Sequence, residues 1–363
     1  MLWQISLSFT ILLTVLGLIF KKSKILWYIQ IIWIWILMAG SNGGVDWTTH
    51  INIFKSAVSF KILENSWIYK LCCYPFIQLG YDFSTFNMVM STILLAILFY
   101  IIKKNTKSVC LATSLIYIYP LADSIIQKRN FCALVFFLVG VISIIKNEKK
   151  STFKFLFFTF IAAQIHSSYY LYFLILPLMK LSEKKLNKIL MILLMCEFAL
   201  IPFIPKIALL FVPATKVNFY FSTLKIPLYQ SICWWGLQII FTILFFKEFK
   251  INSKLATYLN YDENKNEYNR LIQLNKILLI FMPLYYYEPT FFRFFRNLLF
   301  INYIYVAKIF DKTQKNYKDL VISTGLLICF IVLVFLSQFV IFGKGFYYLG
   351  VPIFEANKFI GVK

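Results

Sequence analysis

The chain has 363 residues, of which 60% are hydrophobic, 20% aromatic and only 14% charged. Uncharged apolar runs such as residues 325–343, "GLLICFIVLVFLSQFVIFG", exclude an ordinary soluble domain, because a soluble core does not need segments of that length. Peptide groups in the bilayer core find no water, and the two-residue alternation of a transmembrane barrel is absent. The composition therefore predicts an all-α, polytopic integral membrane protein.

Apolar segments follow one another along the whole chain. Judged against the roughly 20 residues that a spanning helix needs, they number about 12, within a range of about 10–13. They lie near 2–20, 25–39, 85–102, 108–122, 131–145, 153–165, 167–179, 188–211, 226–246, 271–288, 294–310 and 319–342. Since no repeat or linker divides them, we expect a single transmembrane domain over 1–363, with an external loop at about 40–84 and a cytoplasmic loop at about 247–270.

The chain has a net charge of +22, and its basic residues cluster in alternate connections between the apolar segments. Six connections (21–24, 103–107, 146–154, 180–188, 247–270 and 308–318) hold 23 of the 37 lysines and arginines, and all six fall on one side if twelve segments alternate. The positive-inside rule makes that side the cytoplasm and places both termini outside. No polar stretch is long enough for a nucleic-acid-binding domain.

Neither the first segment nor the cysteines indicate a processing or metal-binding function. The first segment ends on Lys21, Lys22 and Lys24 and lacks a basic start and a cleavage site, so it is expected to be a first helix with its N-terminus outside rather than a signal peptide. The seven cysteines follow no metal-ligand spacing, and no carboxylate pair has metal-site geometry. We therefore expect neither a metal nor a cofactor.

The stretch "GGVDWTTH" opens the external loop with an aspartate and one of the two histidines. If it is helical, Asp46 and His50 share a face, and the carboxylate can orient the imidazole. The two preceding glycines allow a close backbone approach or a helix start that faces an anion. The alternative is an ordinary helix cap with an interfacial histidine.

The stretch "ADSIIQKRNFCA" places Lys128 and Arg129 at the start of an apolar span, on the side that should be poor in basic residues. A lysine and an arginine at a helix start suit phosphate oxygens, which arginine binds through two parallel hydrogen bonds. The alternative is a pair whose long side chains reach the membrane surface.

His166 lies in "QIHSS", the only polar interruption of a long apolar stretch between two lysine-rich connections. The chain must turn near this point, which makes residues 153–179 either two short spans or a re-entrant hairpin. An ionisable residue at such a depth is a functional candidate. The alternative is a histidine that hydrogen-bonds a neighbouring helix.

The stretch "YYYEPTFFRFFR" adds a second outer group of charges. Glu288 precedes a proline, and Arg293 and Arg296 lie three residues apart on one predicted helical face. The aromatic residues between them are typical of the headgroup belt, although they are also able to stack on sugar rings.

Together these residues predict an outward-facing pocket with a carboxylate, one or two histidines and several cations. Cations at the outer leaflet suit a lipid-linked pyrophosphate, and Asp46 or His166 suits a general base that acts on a hydroxyl. This combination is typical of glycosyl transfer on a lipid carrier.

The sequence resembles the EpsG-like family of polysaccharide polymerases, which act like the Wzy polymerases of surface polysaccharide assembly. The resemblance is carried by Gly44 and Asp46 in "GGVDW", by Ser124, Arg129 and Ala133 in "DSIIQKRNFCA", and by Ile165, His166 and Ser167 in "QIHSS". Asn130 stands where the family often has glutamine, and Thr49 or His50 stands where a tyrosine is common. The matching motifs cover residues 40–180.

The resemblance implies a polymerase of O-antigen, capsule or exopolysaccharide. It would lie in the bacterial cytoplasmic membrane and move a growing undecaprenyl-pyrophosphate-linked glycan onto a lipid-linked repeat unit at the outer face of that membrane. A chain-length regulator and a flippase would be its partners. Arg129, with Lys128, Arg293 or Arg296, would neutralise the departing pyrophosphate. His50 and Glu288 are further candidates for contact with the sugar or the phosphates.

Other functions remain open. A lipid-linked oligosaccharide flippase would share a basic cavity but needs no base at the outer mouth. An O-antigen ligase would use the same donor with a different acceptor. A membrane acyltransferase would also use a histidine, and a purely structural membrane protein is a fourth possibility.

Overall fold

A computed structural model describes residues 2–210, 214–223, 226–258, 262–311, 318–342 and 345–361. Within these ranges the secondary structure is helical, and one isolated antiparallel bridge joins Ser41 to Asn357. The first ten α-helices are α1 Leu2–Ile19, α2 Lys24–Ala39, α3 Trp47–Lys55, α4 Trp67–Gln78, α5 Phe83–Asn105, α6 Val109–Ile118, α7 Leu121–Ile126, α8 Lys128–Ile145, α9 Ser151–Ile165 and α10 Ile175–Met179. The rest are α11 Glu183–Ala199, α12 Ile204–Ala208, α13 Ala214–Asn218, α14 Leu228–Tyr258, α15 Asp262–Ile277, α16 Arg293–Ile309, α17 Lys318–Leu336, α18 Phe346–Leu349 and α19 Val351–Glu355.

Short 3-10 and π segments connect several of these helices. The 3-10 segments are Ser56–Ser59, Ser167–Leu174, Ile201–Phe203, Leu278–Tyr286 and Pro289–Phe292, and the π segments are Phe219–Thr223 and Ser337–Ile341. Helical turns thus occupy parts of both long connections, at 40–84 and at 247–270. Hydropathy does not detect such helices, because they contain enough polar residues to lie outside the bilayer.

Five of the described helices are long and apolar enough to cross a bilayer: Leu2–Ile19, Phe83–Asn105, Lys128–Ile145, Leu228–Lys250 and Val321–Ile341. The pair Glu183–Ala199 and Ile201–Ala208, bent by 64°, makes a sixth candidate if it is one broken span. Four apolar segments are shorter: Lys24–Ala39, Val109–Ile118, Ser151–Ile165 and Ser167–Met179. The all-helical class is confirmed with five or six candidate spans, and the count of about twelve stays a prediction.

The chain forms two compact units. The first unit comprises Met1–Phe173, Tyr303–Tyr317 and Ile328–Lys363, and the second comprises Leu174–Asn302 and Lys318–Leu327.

One end of the first unit gathers basic connections. The carboxylate of Asp311 accepts hydrogen bonds from the Thr106 hydroxyl at 2.9 Å and from the backbone N–H groups of Lys107 and Ser108 at 2.8 and 2.7 Å. The Lys22 Nζ donates to the Asp311 carbonyl at 3.1 Å. The basic connections at 21–24 and 103–107 therefore meet the described start of a third, at residues 308–311, at this end.

At the opposite end of the first unit, the end of α2 meets the starts of α5 and α8. The Asn87 side chain, near the start of α5, donates to the carbonyl groups of Met38 and Ala39 at 3.1 Å each. The Lys128 Nζ, at the start of α8, lies 3.4 Å from the same Met38 carbonyl oxygen. The end of α2 and the starts of α5 and α8 thus meet, and we call this the polar end of the first unit.

The chain reverses direction at His166. Helix α9 packs along α8 and ends at Ile165, and His166 itself is extended. Beyond it, the Tyr169 hydroxyl donates to the Asn130 carbonyl at 3.2 Å, and the Tyr172 ring stacks on Phe137 at 4.3 Å. Since Asn130 and Phe137 follow one another along α8, the segment after His166 runs back along that helix. The predicted turn at "QIHSS" is confirmed.

Candidate functional site

The stretch "GGVDWTTH" forms a glycine turn followed by a helix. Gly44 has φ +109°, in the left-handed region that favours glycine, and Asp46 is the N-cap of α3. The His50 N–H donates to the Asp46 carbonyl at 3.0 Å, which confirms the predicted helical spacing of the two residues. The Asp46 carboxylate does not bond the amides of the first turn of α3.

A backbone carbonyl orients the His50 ring, and the predicted orientation by Asp46 is wrong. The His50 Nε2 lies 3.0 Å from the Ile126 carbonyl oxygen at the end of α7, and its ring stacks on Phe83 with centroids 6.0 Å apart. Because the carbonyl only accepts hydrogen bonds, Nε2 carries the hydrogen, and Nδ1 is a buried acceptor without a hydrogen-bond partner. Sequence spacing alone did not reveal this, because Ile126 is distant in sequence.

His50 is neutral at physiological pH. Its side chain is 5% exposed, and burial lowers its pKa from 6.5 to about 4. The charges of Lys128 and Arg129 act in the same direction, while the bond to Ile126 opposes them. A neutral imidazole in this place holds α3 against α7, and its predicted contact with substrate stays a prediction.

Lys128 begins α8 and is 8% exposed. Besides its contact with the Met38 carbonyl, its Nζ lies 5.6 Å from the centroid of the Trp47 ring, in α3. It also lines a cavity of about 20 Å³, together with Asn87 and Ser124. Such a volume admits about one water molecule and no phosphate group. Contact between Lys128 and a pyrophosphate stays a prediction.

Arg129 is half-buried and contacts the connection 40–84. Its guanidinium Nη1 donates to the Ser66 hydroxyl at 3.1 Å, and Ser66 has the left-handed φ of +65°. The next residue, Trp67, donates from its indole to the Gln164 side-chain oxygen at 2.8 Å. Gln164 precedes His166 by two residues, so the start of α4 connects Arg129 with the His166 turn.

His166 is half-buried, and its Nδ1 faces Ser168. The Ser168 hydroxyl lies 2.8 Å from Nδ1, and the Ser168 N–H donates to Nδ1 at 3.4 Å. Because Nδ1 accepts from a backbone N–H, the hydrogen of the neutral ring is on Nε2. The Tyr169 ring lies 6.2 Å from the imidazole, edge to face.

The structure therefore brings five predicted residues to the polar end of the first unit: Asp46, His50, Lys128, Arg129 and His166. Helix α3 contacts the α7–α8 junction through His50 and Trp47. Helix α4 contacts α8 and α9 through Ser66 and Trp67.

The other three predicted residues lie in the second unit. Glu288 is the N-cap of the segment Pro289–Phe292 and accepts from the Thr290 N–H at 3.4 Å. Arg293 Nε donates to the Thr290 carbonyl at 2.9 Å, and Arg296 is 5% exposed. Both arginines lie on α16, as their spacing predicted. Capping thus accounts for part of the role of Glu288, and its substrate contact stays a prediction.

Sequence reasoning missed the polar partners of these residues. Asp123, which is 4% exposed, accepts from the Gln338 amide with both carboxylate oxygens at 2.7 Å. The Gln338 side-chain oxygen in turn accepts from the Tyr119 hydroxyl. The charge of Asp123 was a usable signal, whereas Gln338, Ser66 and Gln164 are neutral residues that only the fold identifies.

Comparison with known proteins adds an independent finding. No curated protein and no solved structure matches the chain. A family model described as the EpsG family matches residues 7–349, nearly the whole length. The match extends well beyond residues 40–180, where the sequence motifs lie, and includes the second unit. The chain therefore belongs to the EpsG family.

Proposed function

We propose that this protein, a membrane protein of polysaccharide biosynthesis, is a polymerase of surface polysaccharide. It transfers a growing undecaprenyl-pyrophosphate-linked glycan onto a lipid-linked repeat unit at the outer face of the bacterial cytoplasmic membrane. The observation that carries the proposal is the meeting of Asp46, Arg129 and His166 at one end of the first unit, opposite the basic connections. Membership of a family associated with polysaccharide polymerases supports the same function.

The proposed topology follows the charge. The end with Lys22 and Asp311 faces the cytoplasm, and the polar end faces outward, with about twelve segments in one membrane domain and both termini outside. A substrate that a flippase has exported then reaches the outward end without crossing the membrane again. A chain-length regulator would act on the same side.

The reaction exchanges one bond at the donor sugar. The acceptor hydroxyl oxygen bonds to the anomeric carbon of the donor glycan, while the bond from that carbon to the pyrophosphate oxygen breaks. The hydroxyl proton passes to a base, and the lipid pyrophosphate leaves with the electron pair. Because the leaving group already carries negative charge, it needs cations more than a general acid.

Three residues are proposed for these tasks. Arg129 is held by Ser66 at the start of α4, and its guanidinium is the group proposed to neutralise the pyrophosphate oxygens. His166 accepts at Nδ1 from Ser168, so its Nε2–H favours hydrogen-bond donation to a phosphate or sugar oxygen. Asp46, a half-buried carboxylate that precedes Trp47, is then the stronger candidate for the base. Lys128, Arg293 and Arg296 are proposed as further cations for the pyrophosphate.

The test is the surface-polysaccharide ladder of a strain that lacks its own copy of the gene. The strain is complemented, at matched protein levels, with the unsubstituted chain, with Arg129→Ala, with His166→Ala or with Lys149→Ala as a control. Lys149 is exposed at the opposite end and should preserve the ladder. We expect the Arg129 and His166 variants to leave a single repeat unit attached to its surface anchor.

Two results would contradict the proposal. A complete ladder in the deletion strain would exclude the polymerase function. Loss of even the single attached unit would indicate a flippase or a ligase, since either is needed before one unit appears at the surface.

A further inference from the structure

The C-terminal segment 346–361 returns to the polar end of the first unit and pairs with the loop that leads to Asp46. The Asn42 N–H donates to the Ala356 carbonyl at 2.8 Å, and the Lys358 N–H donates to the Gly40 carbonyl at 2.8 Å. These two bonds flank the antiparallel bridge between Ser41 and Asn357. We call this segment the C-terminal clasp. It begins inside the family match, but its pairing residues lie beyond residue 349, where that match ends.

Asn357 is the central residue of the clasp. It is 3% exposed, and its Nδ2 donates to the carbonyls of Ile36 and Leu37 at 3.0 and 3.3 Å. These carbonyls belong to the last turn of α2, and that of Ile36 also accepts from the Gly40 N–H at 3.1 Å. Its Oδ1 accepts from the Phe359 N–H at 2.9 Å. One side chain therefore bonds both the end of α2 and the clasp itself.

The contact is tight as well as polar. A Cβ atom at Gly40 would lie 2.4 Å from the Asn357 Oδ1, and one at Gly43 would lie 2.5 Å from the Ala356 Cβ. The Phe359 ring stacks on Trp35 with centroids 5.2 Å apart. The absence of side chains at the two glycines thus lets the clasp approach the loop.

The loop is consequently held from two directions. The clasp fixes its beginning at residues 40–42. On the far side of Asp46, α3 is held by Trp47 beside Lys128 and by His50 against Ile126. Asp46 lies between these two attachments, four residues beyond the last residue paired with the clasp.

We propose that the C-terminal clasp positions Asp46, with Asn357 as a positioning residue that acts through the loop 40–44. The inference rests on the proposed function, because it assigns the clasp to the polymerisation step. Loss of the clasp leaves the binding groups of α8 in place and displaces the carboxylate. Turnover should therefore fall while the apparent affinity for the lipid-linked repeat unit stays nearly constant.

A reversible cross-link tests the proposal. Residues paired in an antiparallel bridge have Cα atoms about 4.5–5.5 Å apart, within the range that a disulfide requires. The Ser41→Cys/Asn357→Cys pair removes the hydrogen bonds of Asn357 and lets oxidation replace them with a covalent bond. Each single substitution is the control for the native cysteines, and Glu355→Ala, on an exposed residue of α19, is the control for changes in the clasp.

The initial rate of polymerisation is measured in proteoliposomes at a range of repeat-unit concentrations. We expect Asn357→Ala and the reduced pair to lose at least tenfold in turnover with less than a threefold change in KM. Oxidation should return the turnover of the pair to within threefold of the unsubstituted chain. The turnover of both single variants should not change on oxidation. Glu355→Ala should keep the full rate.

Limited proteolysis of the loop 40–46 gives a readout independent of activity. The reduced pair and Asn357→Ala should be cut faster than the unsubstituted chain, and the oxidised pair should be protected. The proposal for the clasp would be overturned if the pair failed to cross-link or if all variants were cleaved equally. Cross-linking without recovery of turnover would also overturn it. An unsubstituted chain that does not polymerise, with the expected cleavage pattern intact, would refute the proposed function instead.

Discussion

We expect the proposed role of Arg129 in binding pyrophosphate to depend on the planar shape of its guanidinium as well as on its charge. Its guanidinium donates to Ser66, and the planar fork that suits phosphate oxygens has no equivalent in a lysine ammonium. We expect Arg129→Lys to lower the polymerisation rate at least tenfold while the protein level stays unchanged. The initial rate in proteoliposomes measures this, and Lys149→Arg is the matched control. A full rate for Arg129→Lys would show that charge alone suffices.

His50 makes the stability of the protein depend on pH. Its pKa is about 4 in the folded protein and near 6.5 when unfolded, so the unfolded chain binds more protons between these values. The stability that neutral His50 provides is complete above pH 6.5 and is lost as the pH falls toward 4. The full difference corresponds to about 3 kcal/mol.

The measurement is thermal unfolding in detergent at pH 7 and pH 5. The unsubstituted chain should unfold at a lower temperature at pH 5. His50→Gln keeps a donor for the Ile126 carbonyl and does not titrate, so its unfolding temperature should change less between the two pH values. An equal drop in both proteins would assign the pH dependence to other groups.

At the scale of single residues, the sequence indicated the candidate site residues but not the residues that hydrogen-bond them. Asp46, Arg129 and His166 were recognisable because ionisable residues are costly in an apolar chain. Their hydrogen-bond partners, Ser66 and Ser168, are neutral and common. The supposed pairing of Asp46 with His50 failed because a shared helical face does not fix a side chain when a buried carbonyl competes for it.

At the scale of secondary-structure elements, one carboxylate joins the basic connections of the first unit. Asp311 accepts from two backbone N–H groups and two hydroxyls in residues 106–108. Asp311→Ala leaves these donors without their acceptor, and we expect a loss of about 1–3 kcal/mol in unfolding free energy. Denaturant unfolding measures it, with Lys149→Ala as the neutral control. An unchanged midpoint would mean that water replaces the carboxylate without loss.

The break at His166 was predictable, whereas the helical turns within the two long connections were not. A polar "QIHSS" between apolar segments leaves one place for a turn, and α9 ends there. The helical turns within 40–84 and 247–270 have mixed composition, so no apolar run marks them. The C-terminal pairing with residues 40–42 joins the two ends of the chain, and no local pattern encodes such a contact.

At the scale of the whole molecule, the proposed topology makes two lysines differ in accessibility. Lys61 lies in the external loop and Lys149 in a basic connection, and both are exposed. Lys61→Cys should react with a membrane-impermeant maleimide in intact cells, after removal of the outer barrier where one exists. Lys149→Cys should react only in permeabilised cells. Labelling of the unsubstituted chain gives the background, and the reverse pattern would invert the topology.

Composition was enough to predict the all-helical membrane class, because only helices satisfy their own backbone groups in long apolar segments. The number of spans was harder to predict, since short apolar segments such as Val109–Ile118 do not reach the length of a span. The relation of Glu288, Arg293 and Arg296 to the first unit depends on long-range packing, which hydropathy does not report.

The most direct test of the central claim uses the purified protein in proteoliposomes with a chemically defined lipid-linked repeat unit as its only substrate. The account predicts products of two and more repeat units on the carrier, with free undecaprenyl pyrophosphate released in equal amount to the bonds formed. Asp46→Asn, Arg129→Ala and His166→Ala should abolish these products while Lys149→Ala forms them at the normal rate. A properly folded, unsubstituted protein that moves the lipid-linked unit across the bilayer without joining units would contradict the account.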